Sequence, residues 1–387
     1  MARSRSGGAV QSKIQMILFG APFTGKSTLA LQSAYLKRPD GKPFRVLYID
    51  PESGSVDDYL PALEANGVDL QNIYIVYTQS LSEVRELIER AKSGTPYYYY
   101  NEEGEETEEA VLDADGQPFN PDMIVVDGTS VLNLTTKNSI IEFSKKRASV
   151  KAKAAGLIGE EKFVKIEGAG LELKDYQTIN FKGQELILDL MGSGKHYIAT
   201  AREADEKITK EINGKEVSVA TGKKIPDGFK AMSYNAKTVV RLYREEDDYG
   251  TVHAFVEKDR SGAHKAGDDI EDPSLLDWQA VIDNTAQNKN FVIKNTIQEA
   301  IKTEERKYAQ EIGVSQEAEP QPEGGTGGAA QSLCEEITQR LAGMSPVAKA
   351  AAKKAVTEAG LPSAFKKITD EAVLKQILSV IEKAGKA

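Results

Sequence analysis

The sequence predicts an α/β fold with a mainly parallel sheet, late antiparallel strands and a small all-α C-terminal module. From Ile14 to about Ala266, short runs rich in β-branched residues alternate with amphipathic stretches, a pattern typical of a sheet covered by helices. A segment rich in Gly, Pro and Glu, residues 312–331, then precedes a second set of helical patterns. We therefore expect one large core followed by a tethered module.

Composition excludes several classes of protein. The chain has 387 residues, 40% of them hydrophobic, which is enough to bury one large core. Its single cysteine, Cys334, cannot form an intramolecular disulfide, and its three scattered histidines lack zinc-site spacing. The apolar run Ile14–Phe19 is too short for a signal peptide or a membrane span. We expect a cytoplasmic protein with no structural metal and no membrane segment.

The elements of the core are predicted in chain order. Parallel strands are expected at Ile14–Phe19, Phe44–Ile49, Ile73–Tyr77, Met123–Val126 and His196–Thr200, with helices near Lys26–Lys37, Val56–Ala65 and Ser82–Lys92. A hairpin turning at Asn213-Gly214 and antiparallel strands at Lys237–Tyr243 and Thr251–Glu257 complete the pattern. The core is predicted to span 14–285, after a flexible N-terminus at 1–13.

Two further segments interrupt or follow the core. Residues 94–121 form an insertion with eight acidic residues between Glu102 and Asp115 and no basic one, which predicts a solvated hairpin with an aromatic inner face. A connecting helix is expected at 286–311, a flexible linker at 312–331 and a helical module at 332–387. In that module, the apolar stripe of Leu374, Ile377, Leu378 and Ile381 has helical spacing.

A glycine-rich loop follows the first predicted strand and opens the first helix. Its sequence satisfies GxxxxGK[ST] with Gly20, Ala21, Pro22, Phe23, Thr24, Gly25, Lys26, Ser27 and Thr28. Glycines let successive backbone N–H groups face phosphates, and the N-terminus of the helix adds a favourable field. We expect Lys26 to reach the β- and γ-phosphates of a nucleotide and Ser27 to bind Mg²⁺.

Two acidic residues complete the predicted nucleotide site. Asp127 ends the β-branched run "MIVVD", the Walker B position at which a P-loop protein holds an acid that binds magnesium together with the P-loop Ser or Thr. Gly128 follows it, so the group that activates water is expected elsewhere. The next strand end reads "VLYIDPESG" and offers Asp50 and Glu52. We take Glu52 as the candidate general base.

The order of these motifs resembles that of the RecA-like ATPases, which include RecA, RadA and the replicative hexameric helicases. The resemblance rests on the P-loop, D-x-E, "IVVDGTSVL" and a late "EKDRSG". It implies a RecA-like P-loop NTPase core that uses ATP and Mg²⁺, with Glu52 activating water. It also implies a homo-oligomer, ring or filament, in which Lys258 and Arg260 contact the γ-phosphate held by a neighbouring subunit. Thr200 and Arg202 are candidates for sensing that phosphate.

Within this superfamily, the sequence most resembles phage-encoded proteins that contain only the RecA core and serve in single-strand annealing or recombination. The likeness covers Ile14 to about Gly267, including "HYIATAREADEK" and the segment Pro226–Arg244. It implies an ATPase stimulated by single-stranded DNA, in the cytoplasm of a bacterial host.

A basic segment follows the Walker B strand, which is the predicted strand that ends at Asp127. In RecA-like proteins the segment at this position contacts nucleic acid. From Lys137 to Lys153 it has one acid, Glu142, and six basic residues: Lys137, Lys145, Lys146, Arg147, Lys151 and Lys153. This net charge of +5 stands out in a chain whose formal charge is −10. Such a segment would neutralise DNA phosphates without reading sequence, although a solvated helix face has the same composition.

Two alternative functions share the predicted ATP site. A hexameric helicase or translocase would use the same residues and differ by directional unwinding of a forked duplex. A nucleotide-switched assembly protein would bind protein partners through the acidic hairpin and the tail, and DNA would not stimulate its ATPase. The C-terminal module is expected to bind DNA or to dock a single-strand-binding or replication protein.

Overall fold

The computed structural model describes residues 13–54, 56–212, 215–229, 232–245, 250–284, 297–311 and 371–384, together with residues 337, 340, 355, 356 and 359. These belong to two compact units, Met1–Thr296 and Ile297–Ala387. The predicted flexible N-terminus up to residue 12, the Asn213-Gly214 turn and the predicted linker at 312–331 lie outside the described residues.

A large mixed sheet forms the first unit. Its strands are β1 (Gln15–Gly20), β2 (Val46–Asp50), β3 (Ile73–Tyr77), β6 (Met123–Asp127), β7 (His196–Ile212), β8 (Lys215–Pro226), β9 (Thr238–Tyr243), β10 (His253–Asp259) and β11 (Asp269–Glu271); a separate hairpin contains β4 (Tyr98–Tyr100) and β5 (Glu106–Ala110). The sheet order within the described residues is β11-β10-β9-β1-β7-β6-β2-β3, and β8 pairs with β7.

The pairing confirms the predicted fold class. β1 pairs in parallel with β7 and β9, β6 with β7 and β2, and β2 with β3. β10 and β11 are antiparallel to their neighbours. Every residue of β1, β2 and β6 is buried, as expected for central strands covered on both faces.

Helices cover both faces of this sheet. They are α1 (Lys26–Leu31), α2 (Leu60–Ala65), α3 (Leu81–Ser93), α4 (Thr129–Ala154), α5 (Gly159–Glu167), α6 (Leu173–Gly192), α7 (Met232–Asn235) and α8 (Gln279–Asp283). One buried apolar cluster contains residues of α3, α4 and α6, and the other contains residues of α1 and α8. Single 3₁₀ turns at Gln32–Tyr35 and Asp57–Tyr59 extend two of the predicted helices.

β7 is longer than the sequence predicted. Its first residues pair with β1 and β6, but from Glu203 onward it pairs with β8 as a two-stranded arm. Six of the nine residues from Glu203 to Glu211 are charged, and residues 207–211 are all exposed, which suits a ribbon exposed on both faces. The arm therefore begins directly after the strand end that carries Thr200 and Arg202.

The acidic insertion folds as an antiparallel hairpin of β4 and β5. Tyr97 is buried at its base and packs edge-on against Tyr74 and Phe119. Tyr99 and Tyr100 remain partly exposed beside the carboxylates. The aromatic inner face is therefore built by Tyr97, and the acidic tip faces solvent.

The second unit contains α9 (Ile297–Glu311) and α10 (Glu371–Ala384). Leu374, Ile377 and Ile381 are buried, as their helical spacing predicted. The rest of the predicted helical module lies largely outside the described residues.

Candidate nucleotide site

The candidate site lies at the carboxyl edge of the parallel strands. β1 ends at Gly20, β2 at Asp50 and β6 at Asp127, and Asp127 lies opposite Thr200 of β7. Ligands of open α/β sheets bind at this edge, because the loops that follow the strands converge there. The topology thus brings the predicted loop and both predicted acids together.

The P-loop connects β1 to α1 with a closed, hydrogen-bonded turn. Gly25 precedes the helix with φ 81°, a left-handed conformation that favours glycine. Lys26 Nζ donates to Ala21 O (2.7 Å), and Thr24 Oγ1 donates to the same carbonyl (2.9 Å). Arg244 Nε donates to Phe23 O (3.0 Å) from the end of β9. These bonds shape the loop before any phosphate binds.

A cavity of about 350 Å³ opens in front of this loop. Its lining comes from the P-loop, the β2 and β6 ends and β7, and it includes Lys26, Ser27, Glu52, Asp127, Thr200 and Arg202. Burial lowers the pKa of Lys26, and the nearby charges of Asp127 and Glu52 oppose that shift. The cavity therefore combines a cation with two carboxylates at the place where phosphates would enter.

Asp127 has the environment expected of a magnesium-binding carboxylate. It is buried and accepts hydrogen bonds from the Tyr48 and Thr200 hydroxyls. Both donors are neutral, so they orient the carboxylate without cancelling its charge. Together with the Ser27 hydroxyl in the same cavity, it supplies the oxygen ligands that Mg²⁺ prefers. Thr200 thus orients Asp127, a contact that the sequence did not predict.

Asp50 fixes the segment that carries Glu52. Its buried carboxylate accepts from the backbone N–H groups of Glu52 (2.8 Å), Ser53 (3.0 Å) and Gly54 (2.9 Å). These bonds curl residues 51–54 back toward the P-loop. This role of Asp50 was not expected from the sequence, although Asp, Pro, Ser and Gly within the five residues "DPESG" are a signal for a turn.

Glu52 and Arg202 pair across the cavity. Arg202 Nη2 donates to Glu52 Oε1 (2.9 Å), and its Nε lies 3.3 Å from the same oxygen. Gly128 makes room for this arrangement, because a Cβ there would lie 2.9 Å from Glu52 Cγ. The two side chains named separately in the sequence analysis thus form one ion pair beside the P-loop lysine.

Lys258 and Arg260 lie at the opposite edge of the sheet. Asp259 pairs with Thr238, which lies beside Met16, whereas the P-loop begins at Gly20. Along β1, the rise from Met16 to Gly20 is four residues, or about 13 Å. Lys258 Nζ donates to the carbonyls of Ser233, Tyr234 and Ala236 at 2.5–3.1 Å and so closes the end of α7. Neither residue lines its own chain's nucleotide cavity.

A second cavity, of about 310 Å³, lies on the other side of α1. Leu29, Leu242, Val252 and Pro273 give it apolar walls, and Arg244 and Asp272 give it polar ones. It contacts Gly25 and Thr28 of the P-loop. Sequence spacing does not predict this cavity, because its walls come from segments more than 200 residues apart.

The basic segment Lys137–Lys153 lies in the long helix α4 (Thr129–Ala154). Three of its six cations pair with acids: Lys145 with Glu142 and Glu167, Arg147 with Asp175 (2.6 Å) and Lys151 with Glu172 (3.8 Å). The acids beyond Glu142 come from α5 and the start of α6, so the local charge is lower than +5. Lys146 and Lys153 are exposed, as are the nearby aromatic residues Phe143, Phe163 and Tyr176.

Comparison with solved structures finds partial similarity to proteins that include the following two. A KaiC-like protein from the hyperthermophilic archaeon Pyrococcus horikoshii is 14% identical, with 67% of this chain and 85% of that chain covered and a TM-score of 0.38. The RadB recombinase is 15% identical, with 68% and 89% covered and a TM-score of 0.36. No protein-family model and no curated protein sequence matches this chain. No helix among the described residues is long and apolar enough to cross a membrane.

Proposed function

We propose that this chain is a RecA-like, ATP- and Mg²⁺-dependent ATPase that binds single-stranded DNA and promotes annealing or recombination, as phage RecA-core proteins do. One observation carries the ATPase assignment: Lys26 at the start of α1, Glu52 after β2 and Asp127 at the end of β6 line one cavity in front of a P-loop. A phosphate cradle, a metal-binding acid and a base are the parts that nucleotide hydrolysis requires.

Each side chain has a distinct role in this proposal. Lys26 leaves the Ala21 carbonyl and neutralises the β- and γ-phosphates. Ser27 and Asp127 hold Mg²⁺, which would offset charge on the transferred phosphoryl group. Glu52 orients and deprotonates the attacking water, and Arg202 senses the γ-phosphate. Arg202 is able to do so because its present partner, Glu52, lies in the same cavity.

The second cavity provides a place for the nucleobase. Its apolar walls suit the faces of an aromatic ring, and Asp272 and Arg244 offer an acceptor and donors at its rim. It adjoins the P-loop at Thr28, on the side away from Glu52. We assign the base to this cavity and the triphosphate to the larger one.

The DNA-binding part of the proposal rests on the surface of α4, α5 and α6. Lys146 and Lys153 are exposed cations without an ion pair among the described residues, and Phe143, Phe163 and Tyr176 are exposed aromatic residues. Cations that track a backbone beside aromatic platforms are typical of sequence-independent single-strand binding. Lys137, Lys145, Arg147 and Lys151 have supporting roles in this surface.

Assembly completes the proposed mechanism. Arg260 lies at the sheet edge opposite to the P-loop, so in a ring or filament it would reach the γ-phosphate of the neighbouring subunit. Lys258 would position the loop that carries Arg260 through its three carbonyl contacts. The C-terminal module would dock a single-strand-binding or replication protein.

Annealing and unwinding assays test the activity. With ATP and Mg²⁺, we expect the protein to accelerate pairing of two complementary oligonucleotides, followed by the fluorescence of end labels. A forked duplex serves as the second substrate. Directional separation of the fork without annealing would favour the helicase alternative, and no effect on either substrate would overturn the DNA-directed function.

A further inference from the structure

A third cavity, of about 560 Å³, opens at the amino ends of the parallel strands. Its walls include Lys13 before β1, Phe44 before β2, Asp122 before β6 and Lys195 before β7. It therefore lies at the opposite sheet edge from the P-loop and is separate from the proposed nucleotide site. Nothing in the proposed mechanism uses it.

Positive charge dominates the lining of this cavity. Lys13, Arg38, Lys92 and Lys195 face only two acids, Asp40 and Asp122. A net charge of about +2 in a chain of net charge −10 is a local reversal of sign. The phosphate-like anions that such a cavity attracts would meet apolar walls formed by Phe44, Ala91 and Ile282.

The acids near this cavity already have partners of their own. Both oxygens of Asp122 accept from the Arg45 guanidinium, at 2.9 and 3.1 Å. Lys92 is paired with Glu89. Arg38 Nε lies 3.5 Å from Asp40 but is buried without a hydrogen-bond partner. The cations that remain, Lys13, Arg38 and Lys195, thus have donors to spare.

Burial makes cations with unused hydrogen-bond donors costly. Lys195 Nζ donates to the neutral Asn120 Oδ1 (2.6 Å), and burial lowers the pKa of Lys195 to about 8. Burial also lowers the pKa of Lys13, and Lys237 adds to that shift while Asp122 opposes it. His196 contributes no charge, because burial holds its pKa well below the usual value. A bound anion would relieve this shortage of negative charge.

The carboxyl-terminal ends of two helices explain why some of these cations lie at the cavity. α3 ends at Ser93 and α6 at Gly192, and the partly negative carbonyl end of a helix stabilises a nearby cation. Lys92 and Lys195 follow this pattern. Lys13 and Arg38 lie in non-helical segments, so their presence at the cavity has no such explanation.

We propose that this cavity, lined by Lys13, Arg38 and Lys195, is a second anion site that binds a phosphate group. The two ammonium groups and the Arg38 guanidinium would surround the phosphate oxygens with charged donors, and the guanidinium adds planar hydrogen-bonding geometry. The phosphate belongs either to a free phosphate or nucleotide or to a nucleic-acid backbone, which offer the same chemistry.

The test measures phosphate binding in a chain whose P-loop has been disabled by Lys26→Ala. Inorganic phosphate, compared with chloride at equal ionic strength, should raise the thermal midpoint of this variant. Adding Lys195→Gln should weaken phosphate affinity about tenfold, the loss expected for one charged hydrogen bond. Lys42→Gln is the matched control, because Lys42 pairs with Asp115 on the surface and does not line the cavity.

The variants decide whether the cavity binds phosphate, and competition decides the source of the phosphate. Loss of the phosphate effect with Lys195→Gln, but not with Lys42→Gln, supports the site; Arg38→Gln replaces Lys195→Gln if the latter fails to fold. No phosphate effect in the Lys26→Ala chain, or an effect that neither cavity variant changes, overturns it. Competition by oligo(dT) would identify a nucleic-acid backbone as the source, and phosphate binding unaffected by oligo(dT) would identify a free phosphate or nucleotide.

Discussion

Arg202 Nη2 lies 2.9 Å from Glu52 Oε1, so the candidate sensor and the candidate base of this chain are partners in one ion pair. Both side chains are partly exposed, 57% for Arg202 and 37% for Glu52, at the mouth of the P-loop cavity. A γ-phosphate entering the cavity would compete with Glu52 for the guanidinium. Release of Glu52 would then coincide with arrival of the substrate that it acts on.

The first prediction concerns Glu52. Glu52→Gln keeps the size of the side chain and removes its basicity, so we expect ATP binding to persist and turnover to fall by about 10²–10⁴-fold. Equilibrium binding of a fluorescent ATP analogue and steady-state phosphate release measure the two effects. Glu64→Gln, on the exposed face of α2, is the control. Normal turnover by Glu52→Gln would place the base elsewhere.

Arg202→Ala should impair sensing of the γ-phosphate without preventing nucleotide binding. The exposed pair contributes only about 0–1 kcal/mol, so the free energy of unfolding without nucleotide should hardly change. Turnover of ATP should fall. The ratio of ATP affinity to ADP affinity should also decrease, because the contact to the γ-phosphate is lost. Chemical denaturation and competition between the two nucleotides provide the measurements. An unchanged preference would remove Arg202 from the sensor role.

Gly128 should be intolerant of a side chain for two reasons. Its φ is 125°, and a Cβ would lie 2.9 Å from Glu52 Cγ. Gly128→Ala is expected to cost about 1–3 kcal/mol of stability and also to lower turnover. Gly104→Ala separates the effects, because Gly104 has φ 77° with no atom near its would-be Cβ. Loss of turnover in both variants would contradict the steric explanation.

The exposed cations of α4 should determine DNA affinity, and its paired cations should determine stability. Lys146→Gln with Lys153→Gln should weaken oligonucleotide binding and reduce the slope of log affinity against log salt by about 0.7 per lost contact. Arg147→Gln should instead destabilise the fold, because it removes the partner of the buried Asp175 carboxylate. Fluorescence anisotropy at several salt concentrations tests the first effect, and thermal unfolding tests the second. Unchanged salt dependence in the double variant would exclude this surface.

Mixing two inactive variants tests whether Arg260 acts between subunits. Lys26→Ala removes nucleotide binding from one protomer, and Arg260→Ala removes the cation from another. In mixed oligomers some interfaces combine an intact P-loop with an intact Arg260, so partial ATPase should return. The activity of each variant alone is the baseline. No recovery, in a mixture shown by native mass spectrometry to exchange subunits, would argue against action in trans.

The sheet was predictable because its signals are local. Apolar or β-branched runs that Gly20, Asp50 and Asp127 directly follow predicted the central strands and the edge at which they meet. The P-loop fits its motif because glycine spacing and helix start are encoded within nine residues. The resemblance then indicated a role for Glu52, and the structure placed that residue in the same cavity as Lys26.

The ion pairs and hydrogen bonds of the candidate site and of α4 depend on contacts that sequence spacing does not encode. The Arg202–Glu52 pair joins residues 150 positions apart, and the acids that neutralise α4 come from later helices. The Lys and Ala content of the basic segment favours the long helix that the structure has, but it does not indicate which acids pair with its cations. Lys258 was singled out through resemblance, and its contacts to α7 arise only in the folded chain.

Steady-state ATPase with and without single-stranded DNA, at low and high salt, tests the central claim most directly. The account predicts that DNA stimulates turnover strongly at low salt and that the stimulation fades as salt screens the phosphate contacts. Glu52→Gln should lower turnover about 10²–10⁴-fold under either condition. Turnover that DNA does not change at any salt concentration would contradict the claim and favour a nucleotide-switched assembly protein.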